Sequence, residues 1–203
     1  MVVSAELQRG THPRGSRDPR RQGWSDPREA DEVGTHPLLG PRRSTKYSTI
    51  NATIEKLTEA ASWKSPWNRG QRCIVPAMGF YEWQVQADGK TKQPFFITCG
   101  DQEIFGFAGL WDSSTTAEDV KVNSCTIVTM PANKIMSEIH NAKQRMPAIL
   151  RKEDRETWLK GDLESALKVL QQYPDELLIQ RPVSPGGRPN SPIRGRGKLL
   201  HLT

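Results

Sequence analysis

The apolar positions of this chain fall in short runs concentrated between about residues 46 and 184. Arg72-Cys-Ile-Val-Pro76 reads as a short strand stopped by proline. Phe80 to Val85 is aromatic and β-favouring. Asp88-Gly89 marks a turn, and Pro94-Phe-Phe-Ile-Thr-Cys99 returns from it, so the two runs form a hairpin. Glu103 to Leu110 and Ser124 to Thr129 are two further strands. Pro131 stands at a favourable first-turn position for a helix running through Ile135 and Met136. Met146 to Leu150 is extended. Lys152 to Leu159 and Leu163 to Gln172 fit amphipathic helices, with Trp158, Leu159, Leu163, Leu167, Val169 and Leu170 as core positions. Glu176 to Val183 is a last strand. Strands in series with helices gathered late predict an α+β fold on an antiparallel or mixed sheet.

The ends of the chain differ in character. Residues 1–45 contain no Lys, Ile, Phe, Tyr, Asn or Cys and are rich in Arg, Gly and Pro, as in Arg14-Gly-Ser-Arg-Asp-Pro-Arg-Arg21. Such a segment is not expected to pack by itself. From Pro185 to the end, residues 185–203 form an irregular basic tail. The expected organisation is one globular domain over 46–184, a size ordinary for a single domain. Lys and Arg number 29 against 23 Asp and Glu, a formal charge of +6. That excess suits an acidic partner such as nucleic acid, and equally a solvated basic surface. No apolar run approaches the roughly 18 residues of a membrane span, and no signal-peptide pattern precedes the domain. Cys73, Cys99 and Cys125 form no even-numbered framework and no CxxC pair, so a reducing, cytoplasmic location is the expectation.

Candidate chemistry concentrates in two segments. In Gly79-Phe-Tyr-Glu-Trp83, period-2 alternation puts Phe80, Glu82 and Gln84 on one face, and Tyr81, Trp83 and Val85 on the other. A carboxylate among aromatics is costly to desolvate and suits general acid or base work; a Glu on a solvated sheet face is the alternative. In the second segment His140 falls where a short helix ends, in a loop that also carries Lys143 and Arg145. It reads either as a proton-transfer group or as a capping, exposed histidine. Asn51, after a β-branched residue, orients a carbonyl or makes a turn. Thr129 is a strand-end hydroxyl with an ordinary structural reading. The three cysteines sit in apolar strands and read as core residues, which argues against a thiol protease. The four histidines are scattered, so no metal set is visible, and there is no Gly-rich phosphate loop.

Taken in order, several stretches resemble the SOS response-associated peptidase (SRAP) family of abasic site processing proteins. They are Tyr47-Ser-Thr-Ile-Asn-Ala52, Arg72-Cys-Ile-Val-Pro-Ala-Met-Gly-Phe-Tyr-Glu-Trp83, Lys92-Gln-Pro-Phe-Phe-Ile97, Phe107-Ala-Gly-Leu-Trp111, Thr126-Ile-Val-Thr129 and Ile139-His-Asn-Ala-Lys-Gln-Arg-Met-Pro-Ala-Ile-Leu150. The resemblance implies an SRAP-like fold with a barrel-like sheet and flanking helices. It implies loss of the initiator Met by self-cleavage. A Cys at position 2 then attacks the aldehyde of an abasic site in single-stranded DNA and closes a thiazolidine crosslink. On that resemblance Glu82 is the acid/base, His140 assists Schiff-base formation and reversal, and Asn51 holds the N-terminal residue. Thr129, Arg145 and Trp83 are the implied substrate and DNA contacts, with Arg145 on backbone phosphate. No cofactor is implied, the partner is single-stranded DNA with abasic sites, and the protein is expected to be a monomer.

The chain departs from the pattern at its start. Position 2 is Val2 rather than Cys, and the family's Asn-Ala-Arg is Asn51-Ala52-Thr53 here. Asp31 to Gly40 can be encoded by bases that, read one position later, give Met-Lys-Trp-Gly-Leu-Ile-Pro-Ser-Trp, a segment of the family's type. Residues 1–45 are therefore read as a segment that does not pack or as a frame-shifted version of a family N-terminus. The alternative function is a catalytically defective remnant that at most binds single strands non-covalently.

Overall fold

The structure is a computed structural model that describes residues 2–3, 32–33, 50–115, 121–184 and 200–201. The reading of 1–45 as frame-shifted or non-packing, and that of 185–203 as an irregular tail, lie outside the described residues apart from three short strands. The strands in chain order are β1 (Val2–Val3), β2 (Glu32–Val33), β3 (Asn51–Thr53), β4 (Arg72–Ala77), β5 (Phe80–Val85) and β6 (Lys92–Cys99). They continue with β7 (Phe105–Thr115), β8 (Lys121–Pro131), β9 (Arg145–Pro147), β10 (Ile149–Leu150), β11 (Leu178–Pro182) and β12 (Leu200–His201). Four short helices accompany them: α1 (Ala61–Asn68), α2 (Lys134–Ile139), α3 (Arg155–Lys160) and α4 (Leu163–Lys168).

The strands form two sheets. The first has the order β11-β6-β5-β1-β12 and is antiparallel throughout. The second runs β10-β7-β8-β2, with β4 beside β7 and both β3 and β9 beside β8. It is mixed, because β2 and β3 run parallel to β8. The α+β expectation holds. The barrel-like sheet does not, because neither sheet closes on itself among the described residues. The reason lies at Met78-Gly79, where the chain leaves β4 in one sheet and enters β5 in the other. A side chain on Gly79 would meet the Phe96 ring at 2.2 Å, so only glycine lets the corner fold this tightly.

Alternation along β5 sends Phe80 into the core, where it meets Phe105 and Phe107 edge to face with ring centroids 6.5 and 5.6 Å away. The β5–β6 hairpin closes as its sequence indicates. Gly89 takes φ +66°, and Asp88 accepts hydrogen bonds from the Lys90 and Thr91 amides at 2.9 and 2.8 Å. Those bonds hold the exposed Asp88 carboxyl below the usual range.

Several elements differ from expectation. Pro131 does not open a helix; it ends β8, paired with Arg145, where a missing N–H costs the ladder little. Helix α2 starts after Asn133, whose side chain accepts from the Met136 amide at 2.9 Å. The two late helices are shorter than their apolar patterns. Asp162 caps the second one, accepting from the Ser165 amide at 2.7 Å. Trp158 and Leu170 are buried, and Leu167 and Val169 pack partly against the core. Leu159 and Leu163 are exposed instead, because six-residue helices bury only one short stripe. The last strand is Leu178–Pro182, after a single turn of 3-10 helix at Asp175–Leu177. The expected strands over Glu103–Leu110 and Ser124–Thr129 extend to β7 and β8, eleven residues each. Helix α1 has no counterpart in the sequence reading.

Cys99 is buried at the end of β6, and desolvation pushes its thiol up to about 12, with Asp101 adding to the rise. A thiol so placed is almost wholly protonated at pH 8 and a poor nucleophile. Alkylation of the native protein at pH 8 is expected to spare Cys99 and to label it only after denaturation, as read by peptide mass spectrometry. Equal labelling in both states would contradict its placement. Among the described residues no helix is long and apolar enough to cross a membrane.

Candidate acid–base site

Glu82 reaches the site because it shares the Phe80 face of β5, directly beyond the aromatic core. It is 4% exposed. One carboxylate oxygen, Oε1, accepts from the Trp83 amide at 3.1 Å. The other, Oε2, lies 3.6 Å from the His140 Nδ1. That separation is beyond hydrogen-bond length, so Oε2 is buried without a partner.

His140 follows α2 as its C-cap, and its ring is fixed from the other side. Nδ1 lies 2.9 Å from the Arg145 carbonyl oxygen. A carbonyl only accepts, so Nδ1 carries the proton and, in the neutral ring, Nε2 is bare. The turn that brings this carbonyl round places Gln144 at φ +50°, a left-handed backbone uncommon for a side chain. The His140 carbonyl accepts from the Gln144 amide at 2.7 Å and closes that turn.

Two further side chains bolt the Glu82 strand to the His140 turn. Asn141 accepts from the Val85 amide at 3.0 Å and donates to the Val85 carbonyl at 2.8 Å, continuing the ladder with a side chain. Gln84 donates to the Glu138 carbonyl at 2.9 Å. Period-2 alternation puts Gln84 on the Glu82 face without marking a role for it, and no local pattern marks Asn141, although that residue follows His140 directly.

Arg145 carries a fork. Its Nη1 and Nη2 donate to Glu55 Oε1 and Oε2 at 2.7 and 3.0 Å, and Nη2 also donates to the Thr129 carbonyl at 2.7 Å. The guanidinium beside it holds the Glu55 carboxyl below the usual range. Glu55 was not anticipated; it stands in the 3-10 turn Ile54–Lys56, and no local pattern marks it. Asn51 opens β3, where the preceding Ile50 carbonyl accepts from the Ile127 amide and the Thr126 hydroxyl, each at 2.9 Å. Its side-chain oxygen is buried without a partner. Thr129 is buried on β8, opposite Thr53 of β3 and Pro147 of β9.

The structure thus joins Glu82, His140, Arg145 and Thr129 through consecutive contacts, with Asn51 on the strand beside Thr129. It does not bring Trp83 to them: alternation turns that ring to the opposite face of β5, the side on which Tyr81 stacks with Phe96 at 4.9 Å. β1 runs beside this strand, with Val2 opposite Tyr81, the neighbour of Glu82. Among the described residues no group of three or more His, Cys, Asp or Glu could hold a metal ion.

A buried carboxylate set against an imidazole, each held by backbone partners, has the layout of an acid–base centre. A family model described as SOS response associated peptidase (SRAP) matches residues 29–186, and the chain belongs to that family. The abasic site processing protein YobE of Bacillus subtilis is 41% identical over 113 residues, covering 56% of this chain and 49% of that protein. The abasic site processing protein HMCES of Rattus norvegicus is 29% identical over 178 residues, covering 72% and 49%. The chain spans about half the length of these curated relatives. A crystal structure of a Bacteroides thetaiotaomicron protein matches with TM-score 0.65 and 31% identity, over 71% of this chain and 63% of that one. One from Bordetella bronchiseptica matches with TM-score 0.67 and 26% identity, over 76% of each chain.

Proposed function

We propose that this chain processes abasic sites in single-stranded DNA, with Glu82 and His140 as its acid–base pair. The observation that carries this reading is the buried Glu82 carboxylate, with one oxygen unpartnered and 3.6 Å from the His140 ring. The relatives' name supplies the substrate. The ring-opened form of an abasic site presents an aldehyde. An amine adds to it to give a carbinolamine, which loses water when its hydroxyl is protonated and a proton leaves nitrogen. A carboxyl group and an imidazole side by side serve both transfers. His140 would exchange protons at Nε2, and the unpartnered oxygen of Asn51 would accept an N–H of the reacting amine. Self-cleavage at a leading Met would draw on the same pair. The formal charge of +6 favours a single strand along the surface.

One observation favours a second reading. Closure of a thiazolidine needs a thiol at the position the family uses, and position 2 of this sequence is Val2. In that case the chain binds the strand without a stable crosslink. An oligonucleotide with one abasic site, compared with its intact counterpart, separates the cases. A hydrogen-bonded, charge-assisted contact to the lesion is expected to favour the abasic strand by roughly tenfold or more. Borohydride is expected to trap a covalent adduct on a denaturing gel. Binding without an adduct selects the second reading, and failure to bind either strand defeats both.

A further inference from the structure

We infer that Asn141 is a positioning residue: its side chain docks on the edge of β5 as a strand residue would, and so fixes the distance between the Glu82 carboxylate and the His140 ring. The inference rests on the acid–base reading above for its functional meaning, but its geometry is independent of DNA.

Glu82 and His140 belong to different elements, β5 and the end of α2. A tie close to both groups therefore controls how far apart they stand. In β5, alternate residues turn their backbone groups to the same edge. Gln86 donates to the Thr91 carbonyl on the β6 side, so Tyr81, Trp83 and Val85 face the other way. On that outer edge β1 pairs only with Phe80 and Tyr81. Further along, the Trp83 amide is taken by Glu82 Oε1 at 3.1 Å, and the Val85 amide and carbonyl are both taken by Asn141. One edge of one strand thus orients the carboxylate and, two residues on, receives the neighbour of the imidazole.

An amide side chain offers an acceptor and a donor side by side, as the backbone of a strand does. Asn141 uses both, which makes a two-point contact. Gln84 adds a single bond, to the Glu138 carbonyl near the end of α2. A single bond leaves the turn free to pivot about it; the pair at Val85 removes that freedom. Asn141 does this from the surface, since its side chain is exposed and buries no core. Its loss should leave the fold standing and let the His140 turn drift. A drift of about 1 Å in a reacting group can cost roughly 100-fold in rate.

The test uses the full chain with Asn141→Ala and the similarly sized Asn141→Leu, so that one variant remains should the other fail to fold. Asp88→Ala is the control: it loosens the far end of the β5–β6 hairpin, where Asp88 holds the Lys90 and Thr91 amides. Each is made with and without Glu82→Gln, and the His140 ring signals are followed by NMR in the absence of DNA. In the parent, Glu82→Gln is expected to shift those signals, because the carboxylate stands 3.6 Å from the ring. Both Asn141 variants are expected to lose most of that response, and Asp88→Ala to keep it. In parallel, adduct trapping by borohydride on an abasic strand is expected to slow by about 10-fold or more at saturation, with the half-saturating strand concentration unchanged. A full ring response in the Asn141 variants overturns the inference, and so does a saturating rate equal to the parent's. An equal loss of response in Asp88→Ala also overturns it, because Asn141 would then be one more prop of the hairpin. A parent without the response has no pair to position, which overturns it too. If the parent forms no adduct, the acid–base reading loses its chemistry while the ring response still decides the role of Asn141.

Discussion

Glu82→Gln is expected to raise the melting temperature while cutting borohydride-trapped adduct formation on an abasic strand by about 100-fold or more. The two effects share one cause. Glu82 buries a carboxylate whose Oε2 has no hydrogen-bond partner, and burying a charged acceptor unpaired is among the costlier arrangements a core can hold. His140 stands close by, but at 3.6 Å it is not hydrogen-bonded to that oxygen. Glutamine keeps the shape and the Oε1 acceptor for the Trp83 amide; it removes the charge and leaves in the Oε2 position a neutral NH2, which costs less to bury unpartnered than a charged oxygen. A gain of about 1 kcal/mol follows, roughly 2–8 °C in melting temperature for a domain of this size. The chemistry is lost because an amide neither takes up nor releases a proton near neutral pH. Glu82→Asp separates the terms: it keeps the charge, so the stability gain should be absent, while the shortened side chain retreats from His140 and slows the reaction. Thermal melts at pH 7 and adduct time courses check both. A glutamine variant that melts lower and reacts at the parent rate would show that Glu82 is a structural residue.

What was legible in the sequence was local. The β5 alternation and the Asp88-Gly89 turn follow from period-2 geometry and from a side chain that bonds its own backbone two and three residues on. The alternation groups Glu82 with Phe80 on one face but leaves open whether that face is buried, and only the family resemblance names His140 beside it. Other features depend on distant partners. Pro131 reads locally as a helix start, but its β8 pairing with Arg145 and the cap from Asn133 override that preference. Helix α1 carries Pro66 inside it, a residue that argues against a helix on local grounds, and burial of Pro66 and Trp67 holds the helix in place. The family resemblance implied a barrel-like sheet, yet the corner at Gly79 splits the strands between two sheets. Glu55 and Asn141 are ordinary polar residues until the parallel β3–β8 pairing and the end of β5 give them partners.

Trp158→Ala should be the most damaging single change to the fold, lowering stability by about 4 kcal/mol, within the usual range for truncating a buried Trp. The side chain is fully buried against Trp67, with ring centroids 6.1 Å apart. Its Nε1 donates to the Cys73 carbonyl at 2.8 Å, which anchors α3 on β4. It also covers Arg72, whose guanidinium lies 5.8 Å from the Trp67 ring and 5.9 Å from the Trp158 ring. Arg72 donates through Nε to the Trp158 carbonyl and through Nη2 to the Gly161 carbonyl, while its Nη1 is buried without a partner. Burial already pushes the Arg72 guanidinium below its ordinary value. Truncation therefore opens a cavity, removes the hydrogen bond that anchors α3 on β4 and takes one wall from a buried cation. Against a total of about 5–15 kcal/mol for a typical domain, that loss can leave the chain barely folded at 37 °C. Trp158→Phe keeps most of the packing and loses chiefly the hydrogen bond, so it should cost only about 1–2 kcal/mol. The Ala variant is expected to melt roughly 10–20 °C below the parent, with the Phe variant in between. A drop of under about 5 °C for Ala would mean that α3 and α4 contribute little to holding β4, and that the second sheet stands without them.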